Sequence, residues 1–160
     1  MNFEHHLEDN IFKLHEELVS GNYHHGRYLT FHVFDPKHRV ISKASVRDRL
    51  VHHVVFKELY QVFEPSFIYH SYSSRLNKGT HLAVLNFAKF LRRVSRNYTR
   101  PIYVLKCDIR KFFWNMDHQK LLAIIQARVN DGRLLNLIEQ IVSSFEPVDN
   151  FIKRERELRW

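Results

Sequence analysis

A short apolar run, Tyr103 to Cys107, stops on Asp108, and two adjacent aromatics, Phe112 and Phe113, follow before a second acid, Asp117. This pattern predicts a carboxylate at the C-terminal edge of a buried strand, where open sheets commonly present functional groups. The residue types alone leave two roles open for Asp108, a ligand-binding carboxylate or a cap on the turn that ends the strand. Asp117 precedes an apolar helical pattern, and Asp is a favoured N-cap, so a capping role is expected there. Cys107 is the only cysteine. It excludes a disulfide framework and a cysteine-based zinc site, and its place in the strand predicts a small buried thiol. Of the 12 histidines, His5-His6, His24-His25 and His52-His53 form adjacent pairs. They lack the i, i+4 spacing of a helical zinc site and read as structural or surface residues. No Gly-x-Ser-x-Gly elbow is present and Cys107 has no activating pair, which argues against nucleophilic catalysis.

Several elements must position these groups. Phe3, Leu7, Ile11, Leu14 and Leu18 recur at helical spacing, predicting a helix over Phe3–Val19 capped by Asn2 and stopped by Gly21. Tyr28 to Phe34 alternates as a strand, Asp35-Pro36-Lys37-His38 is turn chemistry, and Arg39 to Ser42 returns, which makes a β-hairpin with a basic tip. Ser45-Val46-Arg47-Asp48 has the form of a capping box and opens a helix to about Tyr60. Its buried face is expected from Val46, Leu50 and Val54 with Val51, Val55 and Leu59. After Phe63-Glu64-Pro65, a loop reaches Gly79, and Thr80 is expected to cap a helix over His81–Arg96. Helices over His118–Val129 and Arg133–Phe145 follow the Tyr103–Cys107 strand. Lys153 to Trp160 alternates charge without an apolar face.

The chain has 160 residues, 44 % of them hydrophobic and 14 % aromatic, with a net charge of +8. Such a chain can bury a core. The positive charge favours a polyanionic partner. No signal peptide and no apolar run of membrane-spanning length appear, so a cytoplasmic, membrane-free setting is expected.

Three blocks carry a resemblance. Phe34-Asp35-Pro36-Lys37-His38-Arg39-Val40-Ile41 with Arg47-Asp48-Arg49-Leu50-Val51-His52-His53 resembles the fingers region of bacterial reverse transcriptases. Phe63-Glu64-Pro65-Ser66-Phe67-Ile68 with Ser71-Tyr72-Ser73-Ser74-Arg75-Leu76-Asn77-Lys78-Gly79-Thr80-His81 is similar to their next block, and Tyr103 to His118 to their first catalytic motif. The blocks run in the family's order from about Gly21 to Ser144, nearest to group II intron, retron and diversity-generating retroelement enzymes. The family continues with a glycine-containing motif and an aromatic-x-Asp-Asp turn. This sequence has no Asp-Asp pair, and its last glycine is Gly132.

The resemblance implies an α+β fold. Residues 1–100 would be a mostly helical fingers-like region with a small antiparallel hairpin, 101–150 a partial palm carrying the first catalytic Asp, and 151–160 a charged tail. It implies RNA-directed DNA polymerase chemistry using Mg2+, an RNA template, a DNA primer and deoxynucleoside triphosphates. Asp108 would be a catalytic metal ligand, and the main-chain carbonyl of Ile109 the neighbouring oxygen ligand. Phe113 would lie under the incoming sugar, where an aromatic ring collides with a 2′-hydroxyl, while Phe112 packs in the core. Lys37 and Arg39 match basic fingertip positions that meet the triphosphate, and Arg47, Arg49, Lys78 and Gly79 would approach nucleic-acid backbone. With one arm of a two-metal site, the fragment is expected to be inactive alone, with an exposed sheet edge inviting association. The alternatives are a non-catalytic RNA- or DNA-binding module derived from a reverse transcriptase and a product without activity.

Overall fold

Apolar periodicity and turn chemistry account for most of the elements in the computed structural model, which describes residues 3–36, 38–110 and 112–145. The expected cap Asn2, the fingertip Lys37 and the tail 151–160 lie outside the described residues. A 3-10 turn, Phe3–His6, leads into helix α1, Leu7–Ser20, which stops where Gly21 turns left-handed at φ 73°. Strands β1 (Leu29–Val33) and β2 (Arg39–Lys43) form an antiparallel hairpin in which Phe31 faces Ile41 and Val33 faces Arg39. Helix α2 runs Val46–Phe63 and ends in a 3-10 turn, Glu64–Ser66, with Pro65 inside it. Helices α3 (Thr80–Val94), α4 (His118–Gln126) and α5 (Gly132–Ser144) complete an α+β arrangement. Among the described residues, no helix is long and apolar enough to cross a membrane.

Caps decide where these helices begin. Asp117 accepts from the Lys120 N–H at 3.1 Å, as its place ahead of α4 predicts. Asp131 does the same for α5, accepting from Arg133 and Leu134. Ser45 Oγ accepts from the Asp48 N–H at 3.1 Å and donates to Asp48 Oδ2 at 2.6 Å, a reciprocal closure of the α2 terminus. The start of α3 differs from expectation. Gly79, at φ 110°, occupies the N-cap position, and Thr80 is already helical.

Contacts group the chain into two units. The first comprises residues 3–59 and 113–145, the second residues 60–112. Among the described residues, the buried apolar side chains belong to the first: Leu14, Tyr23, Ala44, Val51, Val55, Ile125, Val129 and Ile138. The expected face of α2 is only half realised. Val51 and Val55 are buried while Leu50 and Val54 are exposed, because Asp48 shares the inward side with Val51 and Val55.

In the second unit the one buried described side chain is polar, Ser95. Its Oγ accepts the Tyr98 N–H at 2.8 Å, holding Arg96, Asn97 and Tyr98 in successive positive-φ conformations after α3. Arg75 organises the loop before α3. Its guanidinium grips both oxygens of Glu64 (3.0 and 2.8 Å from Nε, 2.6 Å from Nη2) and donates to the carbonyls of Ile68 and Ser71. Polar closure substitutes here for an apolar core.

The Tyr103–Cys107 strand does not form. Residues 101–109 carry no regular structure, Tyr103 and Leu105 are 99 % and 87 % exposed, and Cys107 is exposed rather than buried. A strand requires a partner for its N–H and C=O groups. Among the described residues, the only sheet is the β1–β2 hairpin.

Candidate functional site

Asp108 sits in the second unit on the wall of an open depression of about 480 Å³, shared with Cys107, Ile109 and Phe112. Its carboxylate is exposed and makes no hydrogen bond or ion pair with another described residue. Among the described residues, no bond supports the turn-capping alternative. Phe112 and Phe113 were expected to split into one packed and one site-facing ring. They are instead 44 % and 73 % exposed, within a 3-10 turn over Phe112–Trp114. The two-fold alternation of a strand sends neighbours to opposite faces, whereas successive 3-10 residues differ by about a third of a turn, so both can face solvent. Phe112, not Phe113, lines the depression, and Phe113 groups with the first unit.

Magnesium takes hard oxygen ligands, and Asp108 with the adjacent Ile109 carbonyl offers that donor type. Among the described residues, however, no group of three or more acidic, His or Cys side chains converges on one point. One carboxylate does not make a two-metal centre.

Lys78 and Gly79 lie on the Arg75-braced loop of the same unit. Gly79 is fixed by its N–H donating to the Tyr72 carbonyl at 3.1 Å. Lys78 Nζ donates to the Tyr69 carbonyl and lies 3.9 Å from the Tyr69 ring centroid and 5.5 Å from that of Tyr72. Tyr72 is held in turn by Asn86 and His70, each at 2.8 Å from its hydroxyl. A cation over an exposed ring, Tyr69, and a half-buried one, Tyr72, suits single-stranded nucleic acid, whose bases stack on rings while phosphates meet the charge. Sequence reading singled out Lys78 and Gly79 but passed over Tyr69 and Tyr72. The available signal was aromatic residues interleaved with a basic loop.

In the first unit, Arg39 begins β2 at the hairpin tip and is exposed. Arg49 is exposed on the first turn of α2. Arg47 is engaged internally. It donates to the Glu17 carboxylate, to Asp48 Oδ1 at 3.2 Å and to the His24 carbonyl at 3.1 Å, and it covers the Tyr23 ring at 4.7 Å.

Asp48, 1 % exposed, is the centre of that cluster. Tyr23 Oη donates to Oδ1 at 2.8 Å, and Ser45 Oγ and the Gly26 N–H donate to Oδ2 at 2.6 and 3.3 Å. Burial pushes the carboxyl upward, but the bonds from Ser45 and Tyr23, with His25 and Gly26 nearby, outweigh it and hold Asp48 below its ordinary value. Burial and the same carboxylate raise the Tyr23 phenol well above its usual range. Gly26 is required by close approach, since a Cβ there would stand 2.9 Å from Asp48 Oδ2. None of this was legible locally, because 25 residues separate Tyr23 from Asp48 in the chain.

No family model matches the chain. It is 26 % identical over 147 residues to an uncharacterized 91 kDa protein in the cob intron of Schizosaccharomyces pombe, covering 91 % of this chain and 17 % of that protein. It is 24 % identical over 133 residues to protein YkfC of Escherichia coli, covering 82 % and 34 %. It is 23 % identical over 140 residues to the group II intron-encoded protein LtrA of Lactococcus lactis, covering 86 % and 22 %. The chain thus spans about a third or less of the length of these relatives, two of which are described as belonging to introns.

Proposed function

We propose that the chain is a reverse-transcriptase-related protein of the intron-encoded kind, comprising the fingers and first palm portion and acting on RNA. The observation that carries this reading is Asp108: an exposed carboxylate in an open depression, bonded to no other described residue, within sequence blocks that follow the reverse-transcriptase order. Similarity to intron-encoded proteins at low identity supports it. In this reading Arg39 meets phosphate at the fingertip, where a guanidinium can donate to two oxygens at once. Lys78 with Tyr69 and Tyr72 holds single-stranded backbone and base. Magnesium, when bound, would supply the charge that stabilises phosphoryl transfer.

These residues by themselves bind rather than polymerise, since one candidate carboxylate cannot hold two metals. Primer extension on an RNA template with the purified chain checks this, and the expected result is RNA binding without extension. Templated synthesis by the chain alone would refute the division of labour, and failure to bind RNA at low salt would refute the reading itself. A purely nucleic-acid-binding role is the second reading, favoured by the absence of a three-ligand cluster among the described residues. Mn2+ line broadening at residues 107–109, lost in Asp108→Ala, separates the two, because only the metal-ligand reading predicts it.

A further inference from the structure

Two histidines that are 27 residues apart in sequence meet in the first unit. His25 Nε2 and His52 Nε2 lie 3.0 Å apart. Their ring centroids are 5.1 Å apart at an interplanar angle of 13°. Rings so nearly coplanar, with nitrogens that close, are set edge to edge and point their Nε2 atoms at one another rather than stacking. The other nitrogen of His25, Nδ1, is 2.6 Å from the Gly26 carbonyl, which can only accept, so Nδ1 carries a proton. The Nε2 lone pair of neutral His25 then faces His52. A backbone carbonyl holding the far nitrogen is the arrangement that fixes the tautomer of metal-ligating histidines.

Charge points the same way. Asp48 lies one helical turn before His52, on the same side of α2. It is coupled electrostatically to both imidazoles. The ionised groups bonded into this cluster are Glu17 from α1 with Asp48 and Arg47 from α2. Two negative charges against one positive leave the cluster one positive charge short while the imidazoles are neutral. All of Asp48's bonds are to Tyr23, Ser45, Gly26 and Arg47, so it supplies field rather than a ligand atom.

We propose that the Nε2 atoms of His25 and His52 form a two-imidazole seat for one divalent cation of the zinc class, with solvent completing its shell. Zinc–nitrogen bonds of about 2.0–2.1 Å at a tetrahedral angle need the nitrogens roughly 3.3 Å apart, a small opening of the observed pair together with a turn of each ring that brings both lone pairs to a point off the line between them. His25 lies on the loop between α1 and β1, which can give by that amount more readily than a helix. The inference is independent of the nucleic-acid reading, since it concerns a different cation and uses none of the residues assigned there.

The test is calorimetric titration of the untagged full chain with ZnCl2, read against variants. One saturable equivalent is expected in the wild type, weakened about tenfold or more in His25→Ala and in His52→Gln. The double variant His32→Ala/His38→Ala removes a second facing pair on the exposed hairpin, 2.7 Å apart, and should leave the equivalent in place. Zinc should also shift the ring resonances of both His25 and His52 in the wild-type protein, a readout that does not depend on the variants folding. Absence of those shifts, or a zinc equivalent that survives His25→Ala and His52→Gln or disappears in the hairpin variant, overturns the proposal.

Discussion

At the scale of single residues, Asp48 has the largest predicted consequence in the first unit. A buried carboxylate accepting from a phenol, a hydroxyl, a backbone N–H and a guanidinium is stabilising only while all are present. Asp48→Asn removes the charge opposite Arg47 and places an amide against donors, and should cost about 2–4 kcal/mol in urea unfolding. Its pH dependence has a definite sign. The folded carboxyl is held below its ordinary 3.8, so the unfolded chain takes up that proton first as acid is added. The stability contributed by Asp48 is full above about pH 3.8 and is lost as pH falls through the lowered folded value. Urea midpoints at pH 6, 4.5 and 3 should therefore drop for the wild type at the acid end. The drop should be shallower in Asp48→Asn; an identical acid limb in both would show that the cluster does not couple Asp48 to folding.

At the scale of elements, what a sequence displays is what a short window contains. Asp117 and Asp131 cap α4 and α5 through bonds to residues two or three positions on, and Asp117 was readable for that reason. Asp131→Ala should destabilise α5 by about 1 kcal/mol, visible as loss of helical signal on heating. The hairpin was equally legible, since alternation and the Asp35-Pro36 turn lie within 15 residues. The Tyr103–Cys107 run failed as a strand because strandness belongs to a pair, and apolar composition says nothing about whether a partner is there. The candidate site shows the same division. Asp108 stood out by its context, whereas the Tyr69, Tyr72 and Lys78 grouping depends on how Arg75 folds the loop around Glu64. Arg75→Ala should release that loop while leaving α3 helical. Limited proteolysis should then cut within residues 66–78 faster than in the wild type, and unchanged cleavage would place the brace elsewhere.

At the scale of the whole molecule, the net charge of +8 predicts salt-sensitive binding to nucleic acid, but not every cation contributes equally. Each phosphate neutralised on a single strand adds about 0.7 to the slope of log affinity against log salt. A cation already facing carboxylates releases fewer counterions on binding, because the protein neutralises it beforehand. Arg47 is such a case, bound to Glu17 and Asp48. Lys78 differs in degree, since it is bonded to a carbonyl and covers two neutral rings, while the nearby Glu64 carboxylate is already gripped by Arg75. Arg39 is exposed at the hairpin tip. Anisotropy titrations of a single-stranded RNA across salt concentrations should therefore show the slope fall by about 0.7 in Lys78→Ala and in Arg39→Ala. Arg47→Ala should leave the slope near the wild-type value and instead lower the melting temperature, because it unbinds two carboxylates and uncovers the Tyr23 ring. If Arg47→Ala reduced the slope as much as Lys78→Ala, its guanidinium would have to leave Glu17 and Asp48 to meet phosphate. In that case the cluster at the start of α2 would rearrange on binding rather than stay a fixed brace.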